Sequence, residues 1–406
     1  MQELSCKQNG QSMQEERIDA MKIEQLRRRR KGRRLRTLAL LVVAGALVLA
    51  YFTGLYGAGL SVLGDVVDSA AAAIDRGEGF PMPLTLTGFR SAQPLSGGFV
   101  ALGENDLTMV SSSGKELRRI QHGYARPAMS VGDSRVCLYN RSGTELCIES
   151  RSRTLFKKVY DQPIQLATIN EGGSFAVVTR SARYEAELTV YNSLFEPIYF
   201  WYSAKDTPTV LSLSRTGRQV AVACLTSEGG ALGTSLYLLD TGLNEPVATI
   251  KTPDGILLAM EYLPNGNLLA VYDGFAAIYA QKDGAQLYRY DFAGRALHRA
   301  DINGKGAALV FAAAGNSAHS SLVILDDKLT EIGAATLGFT VRDIEQTRTN
   351  VFLASDDALY TYGLDGTLWG QTAIEPAPNA IINAKELLVL TDAKAESIAI
   401  PARAKQ

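Results

Sequence analysis

Hydrophobic residues are arranged along this 406-residue chain in three successive ways. Up to Arg36 they are sparse, without period over residues 1–13 and with only Ile18, Met21 and Leu26 near one face of a candidate helix over 14–36. Over residues 37–56 (TLALLVVAGALVLAYFTGLY) they run together with no charge among them. From Leu84 onward they fall in short period-2 runs separated by turn residues, and no helix-length periodicity returns. Twenty helical residues rise about 30 Å, the thickness of a bilayer's hydrocarbon core, so the middle stretch predicts a transmembrane helix.

Behind that stretch Leu60, Leu63, Val67, Ala70, Ala71 and Ile74 recur at intervals of three and four, predicting a short amphipathic helix over 59–75. Gly77, Gly79, Pro81 and Pro83 end it. The period-2 region then repeats one unit: an apolar run, a turn, a second run, a loop, a third run ending at a turn residue, and a fourth run. The third-run exits fall at Ser111, Asn140, Asn192, Asp240, Gln281, Asp326, Tyr362 and Thr391. Their spacing averages about forty residues, the period of a propeller blade. Units are predicted at 89–121, 124–160, 163–202, 208–250, 255–292, 296–337, 339–374 and 378–400. The last lacks an outer strand, and PLTLTG (83–88) stands before the first as a spare one that would close the ring. The fold class is all-β, an eight-bladed β-propeller with seven blades as the alternative. A pair of β-sandwiches competes, but a period near forty does not follow from it.

Charge orients this plan. Residues 1–36 hold eleven of the 41 Lys/Arg and five of the 42 Asp/Glu. Arg27, Arg28, Arg29, Arg30, Lys31, Arg33, Arg34 and Arg36 crowd the near side of the apolar run, which keeps the N-terminus cytoplasmic and sends the rest across. The expected order is a basic cytoplasmic segment (1–36), a single-pass signal anchor in the bilayer (37–58), a juxtamembrane helix and linker (59–82), an extracytoplasmic propeller (83–401) and a tail (402–406). A cleaved signal peptide fits less well, because the n-region and apolar run are both long. The propeller's acidic balance, 37 Asp/Glu against 30 Lys/Arg once residues 1–36 are set aside, argues against a nucleic-acid partner. An envelope protein or wall polymer is the expected partner class.

Candidate chemistry is thin. His122, His298 and His319 have no metal-ligand spacing, no G-x-S-x-G or phosphate-binding loop is present, and neither catalysis nor a metal or cofactor is expected. Long second-to-third-strand connections at 179–187, 224–235 and 313–321 would crowd one mouth of the ring, where binding residues concentrate. The richest supplies Arg180, Arg183, Tyr184 and Glu187 as the candidate ligand or partner face, able to hold a carboxylate, phosphate or sugar. Cys137 and Cys147 flank a hairpin read as turning at Arg141-Ser142-Gly143. A three-residue loop with left-handed glycine would set the two sulfurs opposite one another, allowing a cross-strand disulfide. The alternative is two small buried apolar residues.

Two hairpins, YNSLFEPIYFW (191–201) and YGLDGTLWGQT (362–372), resemble those of quinoprotein-type propellers, and DGTLW resembles part of a sialidase Asp-box. Without an adjacent cysteine pair, the likeness extends to blade architecture and not to redox activity; both tryptophans are expected to pack between blades. RGEGFP (76–81), QHGYARP (121–127), ESRSRTL (149–155), AVVTRSARYEAELTVY (176–191) and WYSA (201–204) resemble the domain-of-unknown-function family 5711. That resemblance implies an anchored envelope protein of low-GC Gram-positive bacteria and assigns no activity. The expected role is a binding scaffold or sensor. The alternative is an enzyme at the central funnel, acting on envelope glycans or as a quinone-dependent oxidoreductase, which would require carboxylates gathered at the axis.

Overall fold

The computed structural model describes residues 77–401 except 229 and 313–318. The basic segment, the anchor, the juxtamembrane helix and the tail expected from the sequence lie outside the described residues, as does most of the 313–321 connection. Within them the chain forms eight four-stranded antiparallel sheets and no helix. Blades 1 to 7 each take four consecutive strands, over 91–121, 127–159, 164–203, 207–252, 257–291, 297–337 and 343–373. Blade 8 takes three strands over 380–398, and Met82–Pro83 supplies its outer one. Inner strands pack on one another from blade to blade, and that of blade 8 returns to that of blade 1. The ring is closed and has eight blades.

The second and third strands of each blade read as continuous hydrophobic runs because neighbouring blades cover both their faces. Gly98–Leu102, Leu268–Tyr272 and Asn350–Ala354 are buried at every position. Eight apolar clusters result, one at each blade junction. At the junction of blades 4 and 5, for example, Leu236 and Leu238 pack with Leu268 and Tyr272. A lone blade could not bury both faces; the ring lets each serve as its neighbour's core.

The residues that marked the blade period are turn formers with a definite task. Asn192 Oδ1 accepts from the N–H of Leu194 and Glu196, Asp326 Oδ1 from Lys328 and Thr330, and Ser111 Oγ from Lys115. Each side chain replaces backbone partners lost where the strand reverses. In blade 7 Asp365 performs this for Thr367, three residues beyond the expected turn at Tyr362.

Three expectations need correction. The closing strand is Met82–Pro83, paired Met82↔Ala395 and Pro83↔Lys394, one residue earlier and shorter than 83–88. The 224–235 segment is no open loop: strands Gln219–Glu228 and Ala231–Asp240 pair along their whole length, as far as Glu228 opposite Ala231. The Cys137–Cys147 hairpin is shifted by one residue, with Cys137 opposite Ile148 and Leu138 opposite Cys147. Ser142, not Gly143, takes the left-handed conformation (φ 64°), and the connection is one residue longer than expected. A one-residue slip turns a side chain to the other face. Cys137 therefore packs toward blade 3 and Cys147 toward blade 1, and both are free thiols.

Candidate functional site

The predicted face comes together at the rim between blades 2 and 3. Arg180, Arg183 and Glu187 line a cleft of about 450 Å³ with Lys158, Tyr191 and Phe200. Its position follows from register: Thr179 pairs with Glu187, and Glu187 with Tyr202, so the 180–185 connection stands beside the far end of blade 3's outer strand. Tyr184 does not line the cleft. It rests on Tyr202, ring centroids 4.9 Å apart, with the Arg183 guanidinium over its ring. Arg180 and Arg183 have no ion-pair partner among the described residues, although Asp161 and Glu187 line the same cleft. At the opposite end Lys158 donates to the Tyr191 hydroxyl at 2.7 Å, which Tyr160 also contacts.

Blade 3's outer strand, Pro197–Ser203 (PIYFWYS), alternates in burial from Ile198 onward. Tyr199 and Trp201 face blade 4, where Trp201 packs on Tyr237 at 5.0 Å. Ile198, Phe200 and Tyr202 face outward, and Phe200 is 51% exposed. With Val159 across the cleft they make an apolar stripe ending at cations on both sides. Sequence reasoning found the arginines through loop length but missed Lys158 and the stripe. The period-2 pattern within PIYFWYS was the available signal.

A second constellation lies on the inner strands. Glu261 of blade 5, Asp301 of blade 6, and Asp343 and Glu345 of blade 7 sit at successive positions around the ring. Desolvation raises the pKa of all four: Glu261 to about 7, Asp301 to about 6, Glu345 to about 8, and Asp343 upward as well. Neighbouring carboxylates push in the same direction, Asp301 on both Glu261 and Glu345. Asp301 and Asp343 accept backbone N–H groups of the following blade, from Gln346 and Ile381. Glu345 takes the Asn383 N–H likewise. Three of the acids thus tack one blade to the next. Glu261 has no hydrogen-bond donor among the described residues and lines a cavity of about 250 Å³ with Glu171, Tyr262 and Gln219. Acids within otherwise apolar inner runs such as LLAMEY were the signal for this arc.

The remaining candidates are tied into local structure. His122 Nδ1 accepts from the Tyr124 N–H, and His298 Nε2 lies 3.0 Å from the Val341 carbonyl. Among the described residues no three His, Cys, Asp or Glu side chains are placed to share a metal ion. Trp369 packs over Gly363 of its own blade.

Residues 85–400 match the model of a family of unknown function, DUF5711. The chain belongs to that family. No curated protein matches this DUF5711 chain. Among solved structures, the computationally designed Ika8 protein aligns with a TM-score of 0.59 at 12% identity, over 77% of the chain and 98% of Ika8. Quinohemoprotein alcohol dehydrogenase from Comamonas testosteroni aligns at 0.56 and 10% identity, over 83% and 79%. BamB from Moraxella catarrhalis aligns at 0.52 and 12% identity, over 78% and 100%. At these identities the likeness is one of fold.

Proposed function

We propose that this DUF5711 chain is a membrane-anchored, extracytoplasmic β-propeller that binds a protein or ligand of the cell envelope. The observation that carries the reading is the rim cleft between blades 2 and 3. It is concave, apolar along one wall, and lined by arginines that the described protein leaves without carboxylate partners. Exposed apolar surface bounded by charge is the usual signature of a recognition site. Location follows from the arginine-braked apolar run at 37–56. The test replaces exposed Tyr184 with cysteine and applies a membrane-impermeant maleimide to intact cells. Labelling before lysis is expected; labelling only after lysis overturns the topology, and with it an envelope partner.

The acidic arc favours a second reading, an enzyme acting on envelope glycans at the funnel. Glycoside cleavage uses one carboxyl group kept protonated and another ionised. Glu261, raised to about 7 and free of a hydrogen-bond donor, would be the proton donor. Loss of glycan cleavage in Glu261→Gln with the fold intact would favour this reading over simple binding.

A further inference from the structure

We propose that blade 3's outer strand, Pro197–Ser203, accepts an extended acidic peptide as a fifth strand. This rests on the binding role proposed above and specifies its partner. An outer strand presents unpaired backbone N–H and C=O groups, and proteins ordinarily guard such edges with charge, proline, shortness or a cover. Seven of the eight blades here do so. Arg118, Lys157, Lys251, Arg289 and Glu331 stand on the outer strands of blades 1, 2, 4, 5 and 6. Blade 8 ends in a two-residue strand containing Pro83. Blade 7's outer strand, Leu368–Ala373, carries no charge, but Pro401 lies against its Gly370. Pro197–Ser203 is seven residues long, has no charge, has proline only at its first position, which leaves the edge from Ile198 to Ser203 without one, and carries no such cover among the described residues. Its outward side chains, Ile198, Phe200 and Tyr202, are the exposed ones.

An added strand would satisfy the backbone edge and set alternate apolar side chains on this stripe. The cations select the partner's ends. Lys158 stands at the Pro197 end, since its acceptor Tyr191 pairs with Pro197. Arg180 and Arg183 stand at the Tyr202 end. A segment with an apolar centre and carboxylates at both flanks complements this pattern. Asp161 and Glu187 share the cleft and limit how many carboxylates it can take. A second copy fits worse. Two-fold antiparallel pairing about Phe200 would bring Lys158 of each copy toward Arg180 and Arg183 of the other, and like charges repel. A bilayer surface cannot follow a concave cleft between two strands.

The test places a photoreactive phenylalanine analogue at Phe200 in the full chain and illuminates intact cells. A cross-linked segment, identified by mass spectrometry, is then synthesised and titrated against the detergent-solubilised full chain. The expected segment is extended, alternates apolar residues and carries Asp or Glu at its flanks. It should slow hydrogen exchange at outward-facing amides of Pro197–Ser203 at least tenfold. Phe200→Lys should weaken it at least tenfold, and Arg180→Glu with Arg183→Glu severalfold, the effect of the charge reversal fading at high salt. Cross-links to lipid or to a second copy, or a peptide that leaves exchange in Pro197–Ser203 unchanged, overturn the proposal. The same photoprobe at Leu258, exposed on blade 5's inner strand, separates the two claims. Capture there alone removes strand addition and leaves a binding module; capture at neither removes both.

Discussion

The Asp301 carboxylate of blade 6 accepts the backbone N–H of Gln346 in blade 7 at 2.5 Å. Asp343 does the same for Ile381 of blade 8 at 2.7 Å. The ring is therefore stitched near its centre by carboxylates that burial makes reluctant to ionise, and this has a consequence for pH. Glu261, Asp301 and Glu345, raised to about 7, 6 and 8, hold their protons more tightly folded than unfolded. From about pH 4 to pH 8 the folded state binds more protons, so stability falls as pH rises through that window. A tenfold change in proton affinity is worth about 1.4 kcal/mol, so the three groups taken together make an effect on the order of 7 kcal/mol between pH 5 and pH 8. Melting followed by circular dichroism should show a higher Tm at pH 5 than at pH 8. Glu261→Gln, which removes an acid without removing a blade tack, should flatten the profile. A Tm that drops steadily below pH 7 would contradict this assignment.

Arg118 of blade 1 reaches the buried Glu149 of blade 2 at 2.9 Å and also donates to Ser150 O and Thr154 Oγ1. Removing one partner of a buried pair strands the other's charge, at about 3–5 kcal/mol. Arg118→Ala should therefore lower stability by about that amount in a urea titration. The double variant Arg118→Met/Glu149→Leu should recover most of it. A loss under 1 kcal/mol in the single variant would show the pair to be solvent-screened.

Gly77 leaves no room for a side chain: a Cβ there would sit 2.3 Å from the Ser113 carbonyl oxygen. The obstacle is backbone, so something must shift. Gly77→Ala is expected to cost about 1–3 kcal/mol, the range for overpacking. Gly338, whose Cβ would meet nothing, provides the control, with Gly338→Ala expected within about 0.5 kcal/mol of the parent. Equal Tm values for the two variants would sink the claim.

Burial raises the pKa of the Cys147 thiol to about 12 and pushes Cys137 and Cys224 up as well. Thiols so protonated and enclosed react slowly. A maleimide applied to the native protein should leave all three unmodified, and denaturation should expose them. Mild oxidant should form no Cys137–Cys147 bond, which intact-protein mass reads directly.

The blade count was legible because the strand reversals demand particular side chains, and Ser111, Asn192 and Asp326 announce themselves at the right interval. Register within a hairpin was not, since it turned on whether Ser142 or Gly143 adopts the left-handed conformation, and Ser142 does so against its steric preference. Two of the strings that carried the family resemblance have structural tasks that only the ring reveals. Gly77 and Gly79 of RGEGFP lie against the Ser113–Gly114 turn, and ESRSRTL carries the Glu149 partner of Arg118. Loop length pointed to Arg180 and Arg183, but the cleft they share with Lys158 forms only when blades 2 and 3 meet. The acid tacks escaped notice for the same reason: Asp301 and Gln346 are 45 residues apart, and only the ring brings them together.

The closing strand has a mechanical meaning. Gly77 and Gly79 bond to the Ser113 turn of blade 1, and three residues after Gly79 the chain is pairing in blade 8. Whatever tugs on the polypeptide upstream of residue 77 is borne by this short clasp before any whole blade feels it. The clasp also cannot fasten until Ala395 has been made, so a nascent chain emerging N-terminus first keeps an unlocked circle until its eighth blade has appeared.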